Sequence, residues 1–334
     1  MARIPSRRLF LGATIVVALA AAFIWLFPSR DYLYVPNTAK PVADRVTVPG
    51  ERPRTGPGGI YYVDVTVRRA SWAERLASFL RPEGSTLASA REVVPENTTF
   101  EQRREAGRAE MARSEEIAAA VALRQAGYEV KATPKGALVE AVASDVPAAA
   151  VLDSGDVIVA ARGANVRTPL GLRRALDSVR PGTTVALRLR RQGNVRVVRV
   201  RTVASTADPD RAIIGIRVAQ SADIDLPLEI DIDLGDVGGP SAGLPFALDV
   251  LQELGRNIVR GRRVVATGEI DLDGSVGPIG GVKQKVFGAR QAGADVFLVP
   301  AGENAEEALR YAGNLRIVPV ESFQQALSVL RTFR

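Results

Sequence analysis

Residues 238–243 read GGPSAG, and residues 267–285 read TGEIDLDGSVGPIGGVKQK. A helix that begins at Ser241 is predicted by apolar residues at three- and four-residue spacing: Leu244, Ala247, Leu248, Leu251 and Leu254. A serine at a helix start lies beside unpaired backbone amides and the positive end of the helix dipole, which suits a reaction that develops an oxyanion. An N-cap serine is nevertheless the more common role at such a position.

The second stretch places a lysine on the apolar side of a predicted helix. If the helix begins after Gly281, a rotation of about 100° per residue aligns one apolar stripe. The stripe consists of Val282, Val286, Ala289 and Ala292. Lys285 falls inside this stripe, whereas Lys283 lies at its edge. Because burial lowers the pKa of a lysine, Lys285 is a candidate general base.

The composition excludes several kinds of chemistry. The chain has 334 residues with no His and no Cys, so a Ser-His-Asp triad, a cysteine nucleophile, a disulfide and a His/Cys zinc site are all impossible. No segment fits G-x-x-x-x-G-K-[ST], the P-loop pattern. Arginine does not release its proton, so a base formed from a cationic side chain must be one of the few lysines: Lys40, Lys131, Lys135, Lys283 and Lys285. We predict no metal and no cofactor.

In their order and spacing, GGPSAG, TGEI and GPIGGVKQK resemble the motifs of the proteolytic domain of the Lon family of serine proteases, over residues 206–334. The resemblance implies a Ser-Lys dyad with Ser241 as nucleophile, Lys285 as general base and Thr267 as a supporting neighbour. It implies that backbone amides of Gly239, Ser241 and Ala242 hold the oxyanion. Assembly into a homo-oligomeric ring is a further implication.

One departure from the family concerns a carboxylate. The serine motif of the family usually begins with Asp, where this chain has Gly238. Two interpretations stay open: Asp236 supplies the carboxylate, or the site works without one.

A second resemblance covers residues 128–205. The segment GALVEAVASDVPAAAVLDSGDVIVAARGANV, with LRRALDSVRPGTTVALRLRR after it, resembles a bacterial PDZ domain, and the match is most specific at Ser154–Ile158. The family adds a peptide as a strand to a sheet edge and binds its C-terminal carboxylate with backbone amides. By position, the carboxylate loop would contain Lys135, Gly136, Ala137 and Leu138, although the usual Gly-aromatic pattern is absent. A PDZ domain with a purely structural role is an open alternative.

Charged patterns elsewhere favour ordinary solvated surfaces. The net charge is +7, but arginines are scattered along the chain, so we predict no nucleic-acid partner. The segment Leu228–Leu234 (LEIDIDL) alternates like a strand with a solvated acidic face, which we favour over a calcium site. The alternating arginines between Arg188 and Arg201 favour a solvated hairpin face over an anion site.

The N-terminus predicts a membrane anchor. Leu9 to Phe27 (LFLGATIVVALAAAFIWLF) is uncharged and approaches the length that a helix needs to cross a bilayer. Arg3, Arg7 and Arg8 precede it, so residues 1–8 are expected in the cytoplasm and the catalytic part outside. A signal peptide cleaved after Ala20 is the alternative, but it would leave AAFIWLF exposed.

These observations predict an α+β protein with an N-terminal transmembrane helix, a small β-rich PDZ-like domain and a Lon-type proteolytic domain. The predicted divisions are residues 1–8, anchor 9–27, linker 28–59, a strand and helical region 60–127, PDZ domain 128–205 and proteolytic domain 206–334. The strand IYYVDVTV and the helix within 60–127 are expected to belong to the protease fold, with the PDZ domain inserted. The arrangement resembles the membrane-anchored PDZ-Lon proteases of Gram-positive bacteria. It implies an ATP-independent endopeptidase that acts on peptides or exposed protein segments; a catalytically silent peptide-binding scaffold is the alternative.

Overall fold

The structure is a computed structural model that describes residues 24–50, 58–93, 100–205, 208–232, 235 and 237–332. No helix in these ranges is both long enough and apolar enough to cross a membrane. The predicted cytoplasmic residues 1–8 and most of the predicted span Leu9–Phe27 lie outside the described residues.

The described residues form a mixed α+β fold. Its strands are β1 Pro28–Pro36, β2 Lys40–Pro41, β3 Val46–Thr47, β4 Gly59–Tyr62, β5 Val65–Ser71, β6 Thr86–Ala88, β7 Lys131–Val142, β8 Val157–Ala161, β9 Ala164–Asn165, β10 Thr184–Arg191, β11 Asn194–Arg201, β12 Val203–Ala204, β13 Ala212–Ile213, β14 Ile216–Asp225, β15 Asp231–Ile232, β16 Arg263–Ala266, β17 Glu269–Ile270, β18 Val276–Gly277, β19 Val296–Pro300 and β20 Arg316–Val320. Its helices are α1 Trp72–Leu76, α2 Ala90–Val93, α3 Phe100–Ala126, α4 Pro169–Leu176, α5 Gly243–Glu253, α6 Val282–Gln291, α7 Glu303–Tyr311 and α8 Phe323–Thr332. Short 3₁₀ turns occur at Ser78–Leu80, Pro147–Ala150 and Pro240–Ala242.

The first sheet has the order β2-β4-β16-β19-β20. Strands β4, β16, β19 and β20 are parallel, and β2 pairs antiparallel at the edge. Because side chains alternate across a strand, Val264 and Ala266 face one helical layer and Val265 faces the other. The first layer contains α3, α5 and α8, and the second contains α6 and α7. The two motif-bearing helices, α5 and α6, therefore lie on opposite faces of one sheet.

Segments from distant parts of the chain share the core of the first layer. Ile60 of β4 and Ile117 of α3 are buried in the same cluster as Leu244 and Phe246 of α5. β4 pairs directly with β16. The region 60–127 thus packs against residues that follow the second sheet in sequence.

The second sheet has the order β11-β10-β8-β7-β14, with β9 paired to β8 and α4 packed against it. Its own core includes Ile158, Leu172, Leu187 and Ile214. The predicted boundary at residue 205 requires a correction, because β14 pairs along β7 and continues this sheet to Asp225. The boundary was placed where the arginine-rich hairpin ends, and sequence periodicity does not reveal a pairing between strands that far apart.

The third sheet, β5-β1-β6, corrects the prediction of a structureless linker over 28–59. β1 pairs with β5 and β6, and Leu33 within it is fully buried. Val42, Val46 and Val48 enter the core beneath the first sheet. Prolines at the ends of short strands led to the prediction of a linker, since proline is typical of loops. Within the described part of the predicted strand Leu228–Leu234, β15 pairs with β3, and residues 233–234 lie outside the described residues.

Candidate active site

Ser241 lies in the 3₁₀ turn directly before α5. Helix α3 holds this turn: the Gly107 carbonyl accepts a hydrogen bond from the Gly239 amide at 2.8 Å, and the Ser114 hydroxyl donates to the Pro240 carbonyl at 3.1 Å. Gly239 has a φ of 91°, a left-handed value that favours glycine. The predicted helix start is therefore observed, with one 3₁₀ turn ahead of the α-helix.

Lys285 lies in the first turns of α6, and its side chain reaches Ser241. Its Nζ is 2.7 Å from Ser241 Oγ and 3.0 Å from Thr267 Oγ1. Thr267 Oγ1 in turn donates to the Ser241 carbonyl at 3.1 Å. Lys285 is only 3% exposed and Thr267 only 1% exposed. The three side chains predicted from the motifs thus meet in one cluster, in which Lys285 and Thr267 are buried and Ser241 is half-buried.

The position of this cluster follows from the first sheet. Thr267 comes directly after β16, and the carboxyl ends of parallel strands open at the same edge of a sheet, where sites commonly form. Helices α5 and α6 lie on opposite faces, so their N-terminal turns approach the same edge from two sides. This arrangement brings together residues that are far apart in sequence.

Burial lowers the pKa of Lys285 to about 7, and the negative charge of Asp64 opposes this shift. Asp64 follows β4, the parallel neighbour of β16, and therefore emerges near Thr267. Its Oδ1 is buried with no hydrogen-bond partner among the described residues, and its Oδ2 is 3.6 Å from Lys40 Nζ. Sequence reasoning missed Asp64; the available signal was an acidic residue directly after an apolar strand.

Of the three backbone amides predicted to bind the oxyanion, one already donates a hydrogen bond within the protein. The Gly239 amide already donates to Gly107, so its assignment to the oxyanion is corrected. The approach of α3 is responsible, and it cannot be read from the motif itself. The Ser241 and Ala242 amides lie at the turn that leads into α5, where a developing negative charge is favoured.

The close approach of α3 also explains the glycine that replaces the family's Asp. A Cβ on Gly238 would lie 3.1 Å from the carbonyl carbon of Gly107 and 3.3 Å from its Cα. These are backbone atoms, so an Asp side chain at 238 would require the backbone of α3 to move by a few tenths of an ångström. Asp236, the alternative carboxylate, lies outside the described residues.

The predicted carboxylate loop is wrong, because Lys135, Gly136, Ala137 and Leu138 lie inside β7. Ala137 and Leu138 pair with β14 on one side and β8 on the other. Lys135 forms an ion pair with Asp223. A Cβ on Gly136 would lie 2.4 Å from the Ile158 carbonyl, so this glycine permits close strand packing. The loop was placed just before the matched strand, but the strand begins earlier, at Lys131.

The two sheets make contact beside the active site. Glu269 and Asp271 follow Thr267, and the charge of Arg173 on α4 of the second sheet acts on both carboxylates. Burial, with repulsion from neighbouring carboxylates, raises the pKa of Glu269 to about 8 and that of Asp271 to about 7. Helix α4 is therefore electrostatically coupled to the segment that carries Thr267.

Comparisons with known protein families agree with both halves of this structure. The model of the Lon protease (S16) C-terminal proteolytic domain matches residues 230–332, and the model of the PDZ domain matches residues 122–202. The chain therefore contains a Lon-type proteolytic domain and a PDZ domain, as the motifs predicted. These matches support a serine-type peptidase.

Curated relatives match the proteolytic part. Lon protease 2 of Bacillus subtilis is 38% identical over 106 residues, which are 30% of this chain and 19% of that protein. Lon protease of Heliobacterium modesticaldum is 41% identical over 93 residues, which are 27% of this chain and 11% of that protein. The matches thus span less than a fifth of these relatives.

Solved structures match the PDZ part. The PDZ domain of an SdrC-like protein from Listeria monocytogenes is 27% identical, covers 26% of this chain and 92% of that chain, and gives a TM-score of 0.25. The PDZ domain of an SdrC-like protein from Listeria innocua is 25% identical, covers 25% of this chain and 92% of that chain, and gives a TM-score of 0.24.

Proposed function

We propose that this chain is a membrane-anchored, ATP-independent serine endopeptidase that cleaves peptides or exposed protein segments outside the cytoplasmic membrane. The observation that carries the proposal is the 2.7 Å contact between Lys285 Nζ and Ser241 Oγ, at a lysine whose pKa burial lowers to about 7. At that pKa a large fraction of the amine is neutral near pH 7 and can accept the serine proton.

The proposed reaction has two steps. Lys285 Nζ takes the proton of Ser241 Oγ as this oxygen bonds to the substrate carbonyl carbon, and the Ser241 and Ala242 amides donate to the oxyanion. The C–N bond then breaks, and Lys285 returns the proton to the departing amine. Water attacks the resulting ester with Lys285 again as base, which releases the carboxylate product and restores Ser241. Thr267 holds Nζ in place through the 3.0 Å bond.

Independence from ATP is supported by the absence of a P-loop pattern from the sequence. Without work from ATP hydrolysis, the substrates would be segments that are already unfolded or exposed. The apolar run Leu9–Phe27 supports a single membrane span, and the preceding arginines support an orientation with the catalytic part outside. Ring assembly stays a prediction, to be checked by light scattering after size-exclusion chromatography.

The PDZ domain is the proposed peptide-docking module, with its docking edge reassigned. β14 is the edge strand of the second sheet, and α4 packs beside it. An extended segment could add to this edge by backbone hydrogen bonds, which is the way this family binds peptides. The contact of α4 with Glu269 and Asp271 links this edge to the active site. A docked peptide could therefore either deliver substrate or alter the site.

The proposal is tested with the full chain in detergent, incubated without ATP with an unfolded protein, and with products read by mass spectrometry. We expect Ser241→Ala and Lys285→Ala each to lose cleavage by on the order of 10³-fold or more, because both residues serve the same step. Lys283→Ala is the matched control, since Lys283 donates to the Ser85 carbonyl and not to Ser241. Equal cleavage by wild type and Ser241→Ala would refute the dyad.

A scaffold without turnover is the second candidate, favoured by Gly238 in place of the family's Asp. The approach of Gly107 gives that glycine a packing reason. Partners recovered bound and uncut from wild type, together with no cleavage of unfolded protein, would support the scaffold.

A further inference from the structure

Two large apolar side chains project from the first helical segment after β5. Leu76 at the end of α1 is 72% exposed, and Phe79 in the 3₁₀ turn that follows is 85% exposed. Such exposure is unusual for two neighbouring large side chains, and it calls for a partner when it forms part of a larger patch.

The segment that carries them is well held. A capping box at Ser71 and Glu74 closes the start of α1. Arg81 closes its end, donating to the Glu74 carbonyl at 2.6 Å and to the Arg75 carbonyl at 3.2 Å. Glu74 also receives two hydrogen bonds from Arg68, at 2.9 and 2.5 Å. These hydrogen bonds therefore fix the backbone of the segment from which Leu76 and Phe79 project.

The end of the N-terminal apolar run lies next to the start of this helical segment. The Trp72 amide donates to the Phe27 carbonyl at 3.4 Å, and Pro28 pairs with Ser71. Trp25, Leu26 and Phe27 are 56%, 79% and 52% exposed. We call these three residues with Leu76 and Phe79 the exit patch. The chain thus passes from its predicted membrane span directly into this patch.

Basic residues surround the exit patch. Within this region five arginines accompany three acidic residues, a balance of +2: Arg30, Arg68, Arg69, Arg75 and Arg81 against Asp31, Glu74 and Glu83. Arg68 and Arg69 line a cleft together with Trp25, Leu26 and Glu74, and Glu74 forms an ion pair with Arg68. A cleft that combines guanidinium groups with apolar side chains suits a lipid phosphate next to its acyl chain.

We propose that the exit patch enters the headgroup region of an anionic bilayer, with Leu76 and Phe79 at the acyl boundary and Arg30 and Arg69 at lipid phosphates. The inference rests on the membrane anchoring proposed above. Lipid is favoured over a second copy of the chain because the patch is continuous with a run long enough to span a bilayer. A projecting apolar segment with aromatic and basic neighbours is also typical of interfacial anchors.

The patch would fix the active site close to the membrane surface. The loop after Phe79 contacts α6: Gln284 donates to the Gly84 carbonyl at 3.2 Å and to Thr86 Oγ1 at 2.8 Å, and Lys283 donates to the Ser85 carbonyl at 3.2 Å. Helix α6 also carries Lys285. The enzyme would therefore act on segments that lie near the bilayer.

The absence of cysteine from the chain allows a direct test. Full-length Phe79→Cys is labelled with a nitroxide and reconstituted into vesicles of phosphatidylglycerol and phosphatidylcholine, with Leu309→Cys as control. Leu309 is 61% exposed on α7, far from the patch in sequence. Collisional relaxation by oxygen and by a water-soluble nickel complex reports depth. We expect the label at 79 to be shielded from nickel and accessible to oxygen, at a depth of about 5–10 Å, and the label at 309 to be aqueous.

Three results would overturn the inference, and flotation of the vesicles separates their causes. If the protein floats with the vesicles but the label at 79 is as aqueous as that at 309, the patch does not enter the bilayer while the anchor stands. If the label is shielded from both reagents, the patch contacts protein, such as a second copy. If the protein does not float, the anchoring fails as well; cleavage of unfolded protein by the same sample still tests the protease.

Discussion

At the scale of single residues, Lys285 sets the pH at which the proposed chemistry operates. Burial lowers its pKa to about 7, and the neutral amine is the active base. A lysine in water would be almost fully protonated at this pH. Its hydrogen bonds to Ser241 and Thr267 hold the amine against the serine oxygen, so the protonation state alone decides whether the base can act.

Asp64 provides a prediction about this titration. For the wild type, kcat/KM should rise with pH through about 7 and then level, because the amine is inactive below its pKa. Asp64→Asn removes a charge that raises the pKa of Lys285, so the rise should move to lower pH, by up to about 1 unit. The profile is measured from pH 5.5 to 9.5 with a quenched peptide. Asp210→Asn, at an exposed position, is the control; an unchanged midpoint in Asp64→Asn would contradict the assigned influence.

Gly238 provides a prediction about packing. Gly238→Asp should destabilise the protein by about 1–3 kcal/mol, because the new Cβ meets the backbone of Gly107 and α3 must shift. Gly280→Asp is the matched control, since nothing lies within 4 Å of a Cβ at that glycine. The free energies of unfolding are compared by urea denaturation. Equal stabilities of the two variants would show that α3 does not constrain residue 238.

The sequence predicted the central residues of the candidate site, and the limits of that prediction are physical. Helical periodicity indicated that Ser241 lies at a helix start and that Lys285 lies on an apolar face, and the resemblance of the motifs to the Lon family implied the roles of both residues. Asp64 was not, because its proximity to Lys285 depends on the pairing of β4 with β16 across a long stretch of chain. The hydrogen bond from the Gly239 amide to the Gly107 carbonyl could not be predicted for the same reason, since it joins residues that are far apart in sequence.

At the scale of elements, α5 is a helix whose residues are all buried. Its Asp249 is 0% exposed, and neither carboxylate oxygen has a hydrogen-bond partner among the described residues. Burial, with the charges of Glu253 and Asp44 adding to it, raises the pKa of Asp249 to about 8. The carboxyl group is therefore held in its neutral form at pH 7, within the layer that positions Ser241.

This buried acid makes stability depend on pH in a defined direction. The pKa of Asp249 is higher in the folded state than in the unfolded state. Its contribution to the free energy of unfolding is therefore fully present below the unfolded-state pKa and is lost as the pH rises through about 8. The loss approaches about 1.4 kcal/mol per pH unit between the two pKa values. Asp249→Asn should flatten this slope, as measured by urea denaturation at pH 5, 6.5 and 8, with Asp210→Asn as the exposed control. A slope identical to wild type would mean that Asp249 ionises freely.

Element prediction succeeded where the residue pattern is local. The helix expected within residues 60–127 is α3, and the hairpin expected between Arg188 and Arg201 is β10 and β11. β1 was missed because its prolines indicated a spacer. Its strand conformation depends on pairing with β5 and β6, which its own sequence does not reveal. β14 was missed because its register is set by β7 and not by its own pattern.

At the scale of the whole molecule, the strands of the second sheet lie in sequence between β4 and β16 of the first sheet. The chain enters the second sheet through β7, which follows α3, and exits it through β14, which precedes β15. β7 and β14 pair with each other from Lys131–Asp225 to Val142–Ile216. β4 and α3, which precede the second sheet in sequence, share a core with α5, which follows it. We therefore propose that the PDZ domain is inserted into the protease fold, as the order of motifs predicted, and that its paired connections limit how far it can move.

Two fragments test this insertion. Residues 127–226 contain β7 to β14 and a separate core around Ile158, Leu172 and Leu187, so this fragment should unfold cooperatively on its own. Residues 206–334 lack β4 and α3, which would expose the apolar faces of β16 and α5, so this fragment should fail to fold. Thermal denaturation followed by circular dichroism distinguishes the two, with the full chain as reference. If residues 206–334 gave a cooperative transition and cleaved unfolded protein, the proteolytic domain would be complete without the preceding segment, and α3 would support the serine turn without being required for it.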